Sequence, residues 1–147
     1  MHSRILRAEK ARSRPSAADQ FQGAVRNHNI TADQTKLQVL SVWFPAGSRT
    51  NPHTHPDDQL LIVTEGEIAI AIGRQRFLLQ PGELMVIPKD VWHWHGATPY
   101  QDGCHLSIKQ HAPGEWGTPP PEDQAEFEAY GDWGTWLEGV GNARPRP

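Results

Sequence analysis

The sequence predicts an all-β domain with the architecture of an antiparallel sandwich or barrel. Short apolar and β-branched runs fill residues 37–110, and turn residues separate them at intervals of about eight to twelve positions. None of these runs has the length and period of a helix that could connect parallel strands. A chain of 147 residues can bury one core but is short for two ordinary domains, so we expect a single barrel.

The predicted barrel begins at residue 21, after a polar N-terminal arm at residues 1–20. Residues 36–44 form the first long strand, because apolar residues lie on both of its faces and Pro45-Ala46-Gly47 ends it. A second strand follows at the apolar run 60–63, and residues 64–67 are expected to form a turn. We expect about seven or eight strands in total.

The second half of the barrel consists of shorter strands. Isoleucine alternates with alanine at residues 68–72, and residues 73–75 predict a hairpin onto the next strand at 76–79. The remaining strands are expected at residues 84–88, 91–97 and 104–110. The barrel would therefore end near residue 112.

Residues 113–147 differ in composition from the barrel. Prolines 119–121 are followed by acidic residues, which is a signal for the start of a short helix. Aromatic residues then recur every three positions, at Phe127, Tyr130, Trp133 and Trp136. We expect this helical extension to pack on the barrel or on a partner subunit, and a lid over a substrate site is the alternative.

Composition and charge exclude several classes of function. The formal charge of −3 comes from basic and acidic residues mixed along the chain, which gives no indication of nucleic-acid binding. No apolar stretch approaches the ~20 residues of a membrane helix, and the basic N-terminal arm lacks the apolar core of a secretory signal. The single cysteine, Cys104, has no partner for an internal disulfide, so we expect a cytoplasmic protein in which it is a small buried side chain.

Histidines in two segments indicate a metal site. His53 and His55 are two residues apart, so on an extended strand both imidazoles point to one face. A third nitrogen donor is available in the segment 92–95, and the amide oxygen of Gln59 can supply a fourth donor atom. Three neutral imidazoles and one oxygen suit a divalent ion of Mn, Fe, Co, Ni, Cu or Zn.

The spacing of these residues resembles the two motifs of the cupin family. The first motif has glutamine where glutamate is usual, and its residues here are Gly47, His53, His55, Gln59 and Gly66. The second motif is carried by Gly82, Pro88 and His93, with Asp90 in place of a glycine and Ala97 in place of an asparagine. The resemblance implies a double-stranded β-helix, or jelly-roll barrel, with a metal held inside by His53, His55, Gln59 and His93.

Within the cupins, the chain resembles the small bacterial members that include manganese-dependent hydroxynitrile lyases. The resemblance lies in residues 21–26, 48–56, 93–97 and 105–108. It implies that the metal is Mn(II), with Fe(II), Ni(II), Zn(II), Co(II) or Cu(II) as the other choices. It also implies that His105 acts beside the metal and that the Thr50 hydroxyl lines the same cavity.

The residue types themselves favour Lewis-acid chemistry. Gln59 is neutral, so the site keeps the full charge of a divalent ion, which favours an anionic substrate oxygen or a bound hydroxide and disfavours oxidation of the metal. The ordinary pKa of histidine, near 6.5, suits His105 to proton transfer. His95 shares a face with His93 and is expected to be a further cavity group.

These observations predict a metal-dependent enzyme that acts on a small organic substrate by lyase-type chemistry, with His105 as general base. The alternatives are an Fe(II) dioxygenase and a non-catalytic barrel that binds or senses a small ligand. Trp92 and Trp94 lie on the face of their strand away from the metal, where they would pack on the sheet or on a second subunit. A homodimer is therefore expected, because apolar sheet faces need to be covered.

Overall fold

The structure is a computed structural model that describes residues 3–32 and 35–141, and it confirms the predicted all-β class. Eleven strands are present in this part of the chain, together with a 3-10 turn at Lys10–Arg12 and two short helices. The strands are β1 (Arg14–Pro15), β2 (Phe21–Gln22), β3 (Arg26–Asn29), β4 (Leu37–Phe44), β5 (Arg49–Thr50), β6 (Gln59–Gly66), β7 (Ile68–Ile72), β8 (Gln75–Leu79), β9 (Leu84–Ile87), β10 (His93–Ala97) and β11 (Gly103–Gln110). The helices are α1 (Pro121–Ala129) and α2 (Trp133–Glu138).

The strands form two antiparallel sheets that enclose the core. One sheet has six strands in the order β1-β3-β4-β11-β6-β9, and the other has five in the order β2-β5-β10-β7-β8. The strand count exceeds the predicted one because β1, β2 and β5 have only two residues each, too few to produce a period in the sequence. The buried apolar residues between the sheets include Val42, Phe44, Leu61, Val63, Ile68, Ile70, Leu79 and Ile87.

Strand β6 is longer than predicted, and the expected turn at residues 64–67 lies mostly within it. The strand continues to Gly66, which has a φ of +66° and pairs with Gly103 at the start of β11. A Cβ on Gly66 would lie 1.9 Å from the Asp102 carbonyl oxygen, so only glycine fits there. A register shift between Cys104 and His105 lets the two strands stay paired along most of their length.

The C-terminal helices pack on the outer face of the five-stranded sheet and form a second apolar cluster. We call this cluster the outer cluster; its buried members are Ala69, Ala71, Leu78, Trp94, Phe127, Tyr130, Trp136 and Val140. Two polar groups within it are paired: the Tyr130 hydroxyl donates to the Ala97 carbonyl at 2.5 Å, and Trp136 Nε1 donates to Glu126 at 3.0 Å. The predicted arm and extension also include residues 1–2 and 142–147, which lie outside the described residues.

Two arginines join the outer cluster to the sheet. The Arg49 guanidinium lies 3.7 Å from the centre of the Phe127 ring and donates to the Phe127 carbonyl at 2.6 Å. Arg76 makes two hydrogen bonds to the Glu126 carboxylate, at 2.6 and 2.8 Å. The helices are therefore attached by cation–π and charge-assisted contacts as well as by apolar burial. Neither helix in the described part of the chain is long and apolar enough to cross a membrane.

Candidate metal centre

Three histidines converge between the two sheets. His53 and His93 pair through their backbones, each N–H donating to the carbonyl of the other at 3.0 and 3.1 Å. This pairing places their ring centroids 4.2 Å apart, and the His55 ring lies 4.8 Å from the His53 ring. One nitrogen from each of the three buried rings can be chosen so that all lie within 4.8 Å of one another. That separation allows the three to share one ion.

Hydrogen bonds on the far side of two rings orient the nitrogens. His53 Nδ1 lies 2.8 Å from the Asn51 carbonyl oxygen, and His93 Nδ1 lies 2.9 Å from the Val91 carbonyl oxygen. A carbonyl can only accept, so both Nδ1 atoms carry the hydrogen and both Nε2 atoms present a lone pair. In the part of the chain that is described, His93 Nε2 and both ring nitrogens of His55 are buried without a partner. Buried polar atoms are normally paired, so these nitrogens fit a bound ion.

Gln59 supplies an oxygen at the start of β6. Its amide nitrogen donates to the Ser107 hydroxyl on β11 at 2.7 Å, so the amide is held in one orientation. The amide oxygen is buried and has no hydrogen-bond partner among the described residues. Three imidazole nitrogens and this oxygen are the kind of donor set that first-row divalent ions accept.

Burial keeps the three imidazoles neutral. It lowers the pKa of His93 to about 4, and it lowers the pKa of His55 to about 3, with the nearby His93 and Lys109 acting in the same direction. Burial, followed by the neighbouring His93 and His55, holds the pKa of His53 well below its ordinary value. Only a neutral imidazole can ligate a metal, so the trio is ready to bind at neutral pH.

A second, buried pair of histidines lies beside the trio. His105 Nε2 on β11 is 2.9 Å from His95 Nδ1 on β10, and the His95 ring centroid is 5.6 Å from that of His53. The Thr50 hydroxyl oxygen accepts from the His95 backbone N–H at 3.2 Å. Burial lowers the pKa of His105 to about 4. Burial, followed by the neighbouring His105, holds the pKa of His95 well below its ordinary value. The pair therefore shares one hydrogen bond between two neutral rings.

A cavity of about 370 Å³ connects these groups, within the ~300–1,000 Å³ of typical small-molecule sites. We call it the histidine cavity; its lining is Ala17, Gln20, Phe21, Asn27, Gln38, Leu40, Val42, Thr50, His53, His55, Gln59, His95, His105, Ser107, Lys109, Gly114 and Trp116. The seven residues that the sequence marked as metal ligands or catalytic groups thus lie in this cavity or, for His93, against the rings that line it. The structure brings all of them together.

Sequence reasoning missed two parts of the cavity. Alternation along β11 predicts that Ser107 and Lys109 share the face of His105, but no role in the cavity was predicted for either residue. Trp116 is also part of the wall, and its ring stacks on His53 at 4.0 Å with 13° between the planes. Backbone hydrogen bonds between Thr54 and Glu115 hold that segment in place. Nothing in the sequence pattern pointed to Trp116.

Comparisons with known proteins agree with the fold. The family model described as a cupin domain matches residues 40–106. A curated relative, the (R)-mandelonitrile lyase of Granulicella tundricola, is 35% identical over 114 residues, which cover 76% of this chain and 87% of the relative.

Solved structures give the same result for the fold. A cupin-like protein from Thermotoga maritima has a TM-score of 0.70 at 28% identity, with 96% of this chain and 100% of that chain covered. A cupin-2 domain from Rhodospirillum rubrum has a TM-score of 0.66 at 17% identity, covering 94% of this chain and 90% of that one, and this likeness concerns the fold alone.

Proposed function

This chain belongs to the cupin family, and we propose that it is a metal-dependent enzyme that cleaves a small organic molecule by lyase-type chemistry. The observation that carries the proposal is the placement of the histidine trio next to the buried His95–His105 pair, in one cavity. A site that only stored a metal would not need a second pair of proton-transferring groups beside it. The similarity to a mandelonitrile lyase supports the same class of reaction.

His53, His55, His93 and Gln59 would hold the metal, and Mn(II) is the ion that we propose, with Fe(II), Ni(II), Zn(II), Co(II) and Cu(II) as the other choices. A bound divalent ion supplies Lewis acidity to a substrate oxygen. Gln59 adds no negative charge to the site, so the protein leaves that Lewis acidity undiminished. The Gln59–Ser107 hydrogen bond fixes which end of the amide faces the trio.

His105 would be the general base. Its ring is neutral at pH 7 because its pKa is lowered to about 4, and it is buried where a substrate in the cavity is shielded from water. For a cyanohydrin such as mandelonitrile, the hydroxyl proton would pass to the imidazole while the C–CN bond breaks. The electron pair left on the oxygen forms the carbonyl, the pair of the broken bond leaves with cyanide, and the imidazolium then gives its proton to cyanide to release HCN.

Two neighbours would position this step. His95 shares a hydrogen bond with His105 and so fixes the orientation of the base. Thr50 accepts from the His95 backbone N–H, which leaves its own hydroxyl hydrogen free to donate to a substrate oxygen. Both residues therefore support the proton transfer without replacing His105 as the base.

Two further parts of the proposal concern the molecule in the cell. We propose a homodimer, because Leu84 and Val86 are exposed by 56% and 54% on β9, an edge strand of the six-stranded sheet. Trp94 gives no support for a dimer contact, since the chain's own helices cover it. The thiol of Cys104 is buried and forms no disulfide, which favours the cytoplasm as the protein's location.

The test combines elemental analysis with an assay of mandelonitrile cleavage. We expect about one transition-metal ion per chain, loss of that ion in His53→Ala, and its retention in His105→Ala with cleavage reduced about a hundredfold or more. The exposed His111 provides the control, since His111→Ala should change neither quantity. Full metal content in His53→Ala would overturn the ligand assignment. Oxygen uptake by the iron-loaded protein would favour a dioxygenase, and tight ligand binding without turnover would favour a binding module.

A further inference from the structure

The histidine cavity has an unusual charge balance. Its lining contains one lysine, Lys109, and no aspartate or glutamate among residues 3–32 and 35–141. The histidines there are neutral, and Gln59 is neutral as well, so no protein group in the lining offsets the charge of a divalent ion. A buried charge is stable only when something pairs with it. The missing negative charge must come from solvent or from what binds in the cavity.

Lys109 stands at one end of a row of polar residues. Every second residue of β11 faces the cavity, in the order His105, Ser107, Lys109, and consecutive members of such a row are about 7 Å apart. Their partners across the sheet on β4 are Val42, Leu40 and Gln38, which also line the cavity. The row therefore runs from the proposed base, past Ser107 and its bond to Gln59, to the lysine ammonium group.

The ammonium group of Lys109 is loosely held. Its one hydrogen bond is to the Ala112 carbonyl, at 3.3 Å, whereas an ammonium group has three hydrogens to donate. The ion pairs of Arg12 with Glu9 and of Arg76 with Glu126 do not involve it. Burial lowers the pKa of Lys109, and Asp57 raises it from beyond ion-pair distance. Hydrogens of this group thus remain available to a ligand.

The lysine lines the same cavity as His53 and His55 of the trio. An anion that enters the cavity would meet both positive centres. The lining also contains two aromatic rings, those of Phe21 and Trp116, with their centroids 6.1 Å apart. The cavity therefore offers both cationic groups and an aromatic surface.

We propose that Lys109 makes the histidine cavity selective for substrates that carry a carboxylate, that is, small hydroxy or oxo acids whose carbon skeleton rests on Phe21 and Trp116. This inference rests on the proposed function, since the reacting oxygen would lie near the trio and His105. It adds a substrate class to that function. A neutral cyanohydrin would then be a poorer ligand than an acid of the same size.

The test measures binding, with carboxylates and their neutral amides as matched probes. The pairs are mandelate with mandelamide, lactate with lactamide, and 3-hydroxybutyrate with 3-hydroxybutyramide, each titrated by calorimetry into protein as purified and into protein stripped of metal. For at least one pair we expect the carboxylate to bind tenfold or more tightly than the amide. The difference should shrink as salt is raised, because it comes from charge.

Variants at two lysines separate the local effect from a change in net charge. Lys109→Met should weaken carboxylate binding about tenfold while amide binding changes less than twofold, and Lys109→Arg should restore most of the preference. Lys10→Met removes the same charge from an exposed position outside the cavity and should leave the preference intact. Urea unfolding of each variant checks that the barrel is intact.

Each outcome bears on one conclusion. If no pair shows a carboxylate preference, or if Lys109→Met keeps it, the inference about Lys109 is wrong, even where metal and cleavage activity are present. If the purified protein holds no metal and cannot be loaded, the proposed function fails. A carboxylate preference that persists in the metal-free protein and disappears in Lys109→Met would still assign the anion site to Lys109.

Discussion

The residue groups on the two sides of strand β10, the histidine cavity and the outer cluster, differ in how many of their buried polar atoms lack a hydrogen-bond partner. His95 lines the histidine cavity and His93 packs against the rings that line it, while Trp94 between them lies in the outer cluster. All three side chains are buried. Seven buried side-chain nitrogen and oxygen atoms lack a partner in the described part of the chain. Six of them belong to His93 or to residues that line the cavity, and Trp94 Nε1 is the seventh.

This difference shows on which side of β10 the chain supplies most of the hydrogen-bond partners itself. In the outer cluster, Tyr130 and Trp136 find partners within the chain and Trp94 Nε1 does not, and the adjoining Arg49 and Arg76 are also paired. In the cavity, several histidine ring nitrogens and the Gln59 amide oxygen have no hydrogen-bond partner, so they can bind a metal ion or a ligand. An unpaired buried polar group lowers the free energy of unfolding by about 1–3 kcal/mol, so the atoms that can bind a metal also destabilise the folded chain. The packing of the outer cluster offsets this loss.

The largest expected effect comes from removing the aromatic side of β10. Trp94→Ala deletes a fully enclosed ring that contacts Phe127, Tyr130 and Trp136, and we expect the free energy of unfolding to fall by about 3–5 kcal/mol. The measurement is urea unfolding of the metal-free protein. Metal bound per folded chain should stay unchanged, because the ring does not touch the trio.

The matched variant on the other face is His93→Ala. It should abolish metal binding and lower the free energy of unfolding by roughly half as much or less, because the deleted ring carried an unpaired nitrogen. If Trp94→Ala released the metal, or if His93→Ala destabilised the protein more than Trp94→Ala, the division of β10 into a binding face and a stabilising face would be incorrect.

We expect acid to lower the free energy of unfolding through the buried histidines of the inner face. The pKa of His93 and of His105 is lowered to about 4 in the folded protein, against about 6.5 in the unfolded chain. Between these values the unfolded chain binds more protons, so stability falls as pH is lowered from about 6.5 toward 4. Each such histidine contributes about 1.4 kcal/mol per pH unit in that window.

Urea unfolding at several pH values, with a chelator present, measures this slope. We expect His105→Gln to reduce the slope by about the contribution of one histidine. His111→Gln is the control, because the ring of His111 is exposed and loses little solvent on folding. Equal slopes in the wild type and His105→Gln would place the origin of acid instability elsewhere than in the cavity histidines.

The comparison of the two faces also explains what the sequence could predict. Alternation assigns His53 with His55, on the extended segment between β5 and β6, and His93 with His95, on β10, to common faces, so spacing could predict that these rings lie together. The all-β class could be predicted from the apolar runs and the turn residues between them. The outer cluster was predicted only as an apolar stripe. Which sheet face the helices would cover depends on tertiary packing, and so does the burial of Arg49 beneath them.

Contacts between segments that are far apart in the sequence could not be predicted from local sequence patterns, because they also depend on tertiary packing. Trp116 stacks on His53 from a segment with no periodicity, held by its bridge to Thr54. The continuation of β6 to Gly66 depends on pairing with β11, although local residues there indicate a turn. A sequence can show which side chains share one face of a strand. Which residues of other segments pack or pair with that strand is decided by the topology of the fold.

The smallest expected effect tests one such contact, the hydrogen bond from the Gln59 amide to Ser107 Oγ. Ser107→Ala removes the acceptor of a buried donor, and we expect a loss of about 1–2 kcal/mol in the free energy of unfolding. The amide could then rotate and present its nitrogen to the trio, so metal affinity should fall about tenfold. Ser107→Thr keeps the hydroxyl and should keep the affinity. If Ser107→Ala bound metal as tightly as the wild type, Gln59 would be a neighbour of the metal rather than a ligand, and the inner face would bind through its three histidines alone.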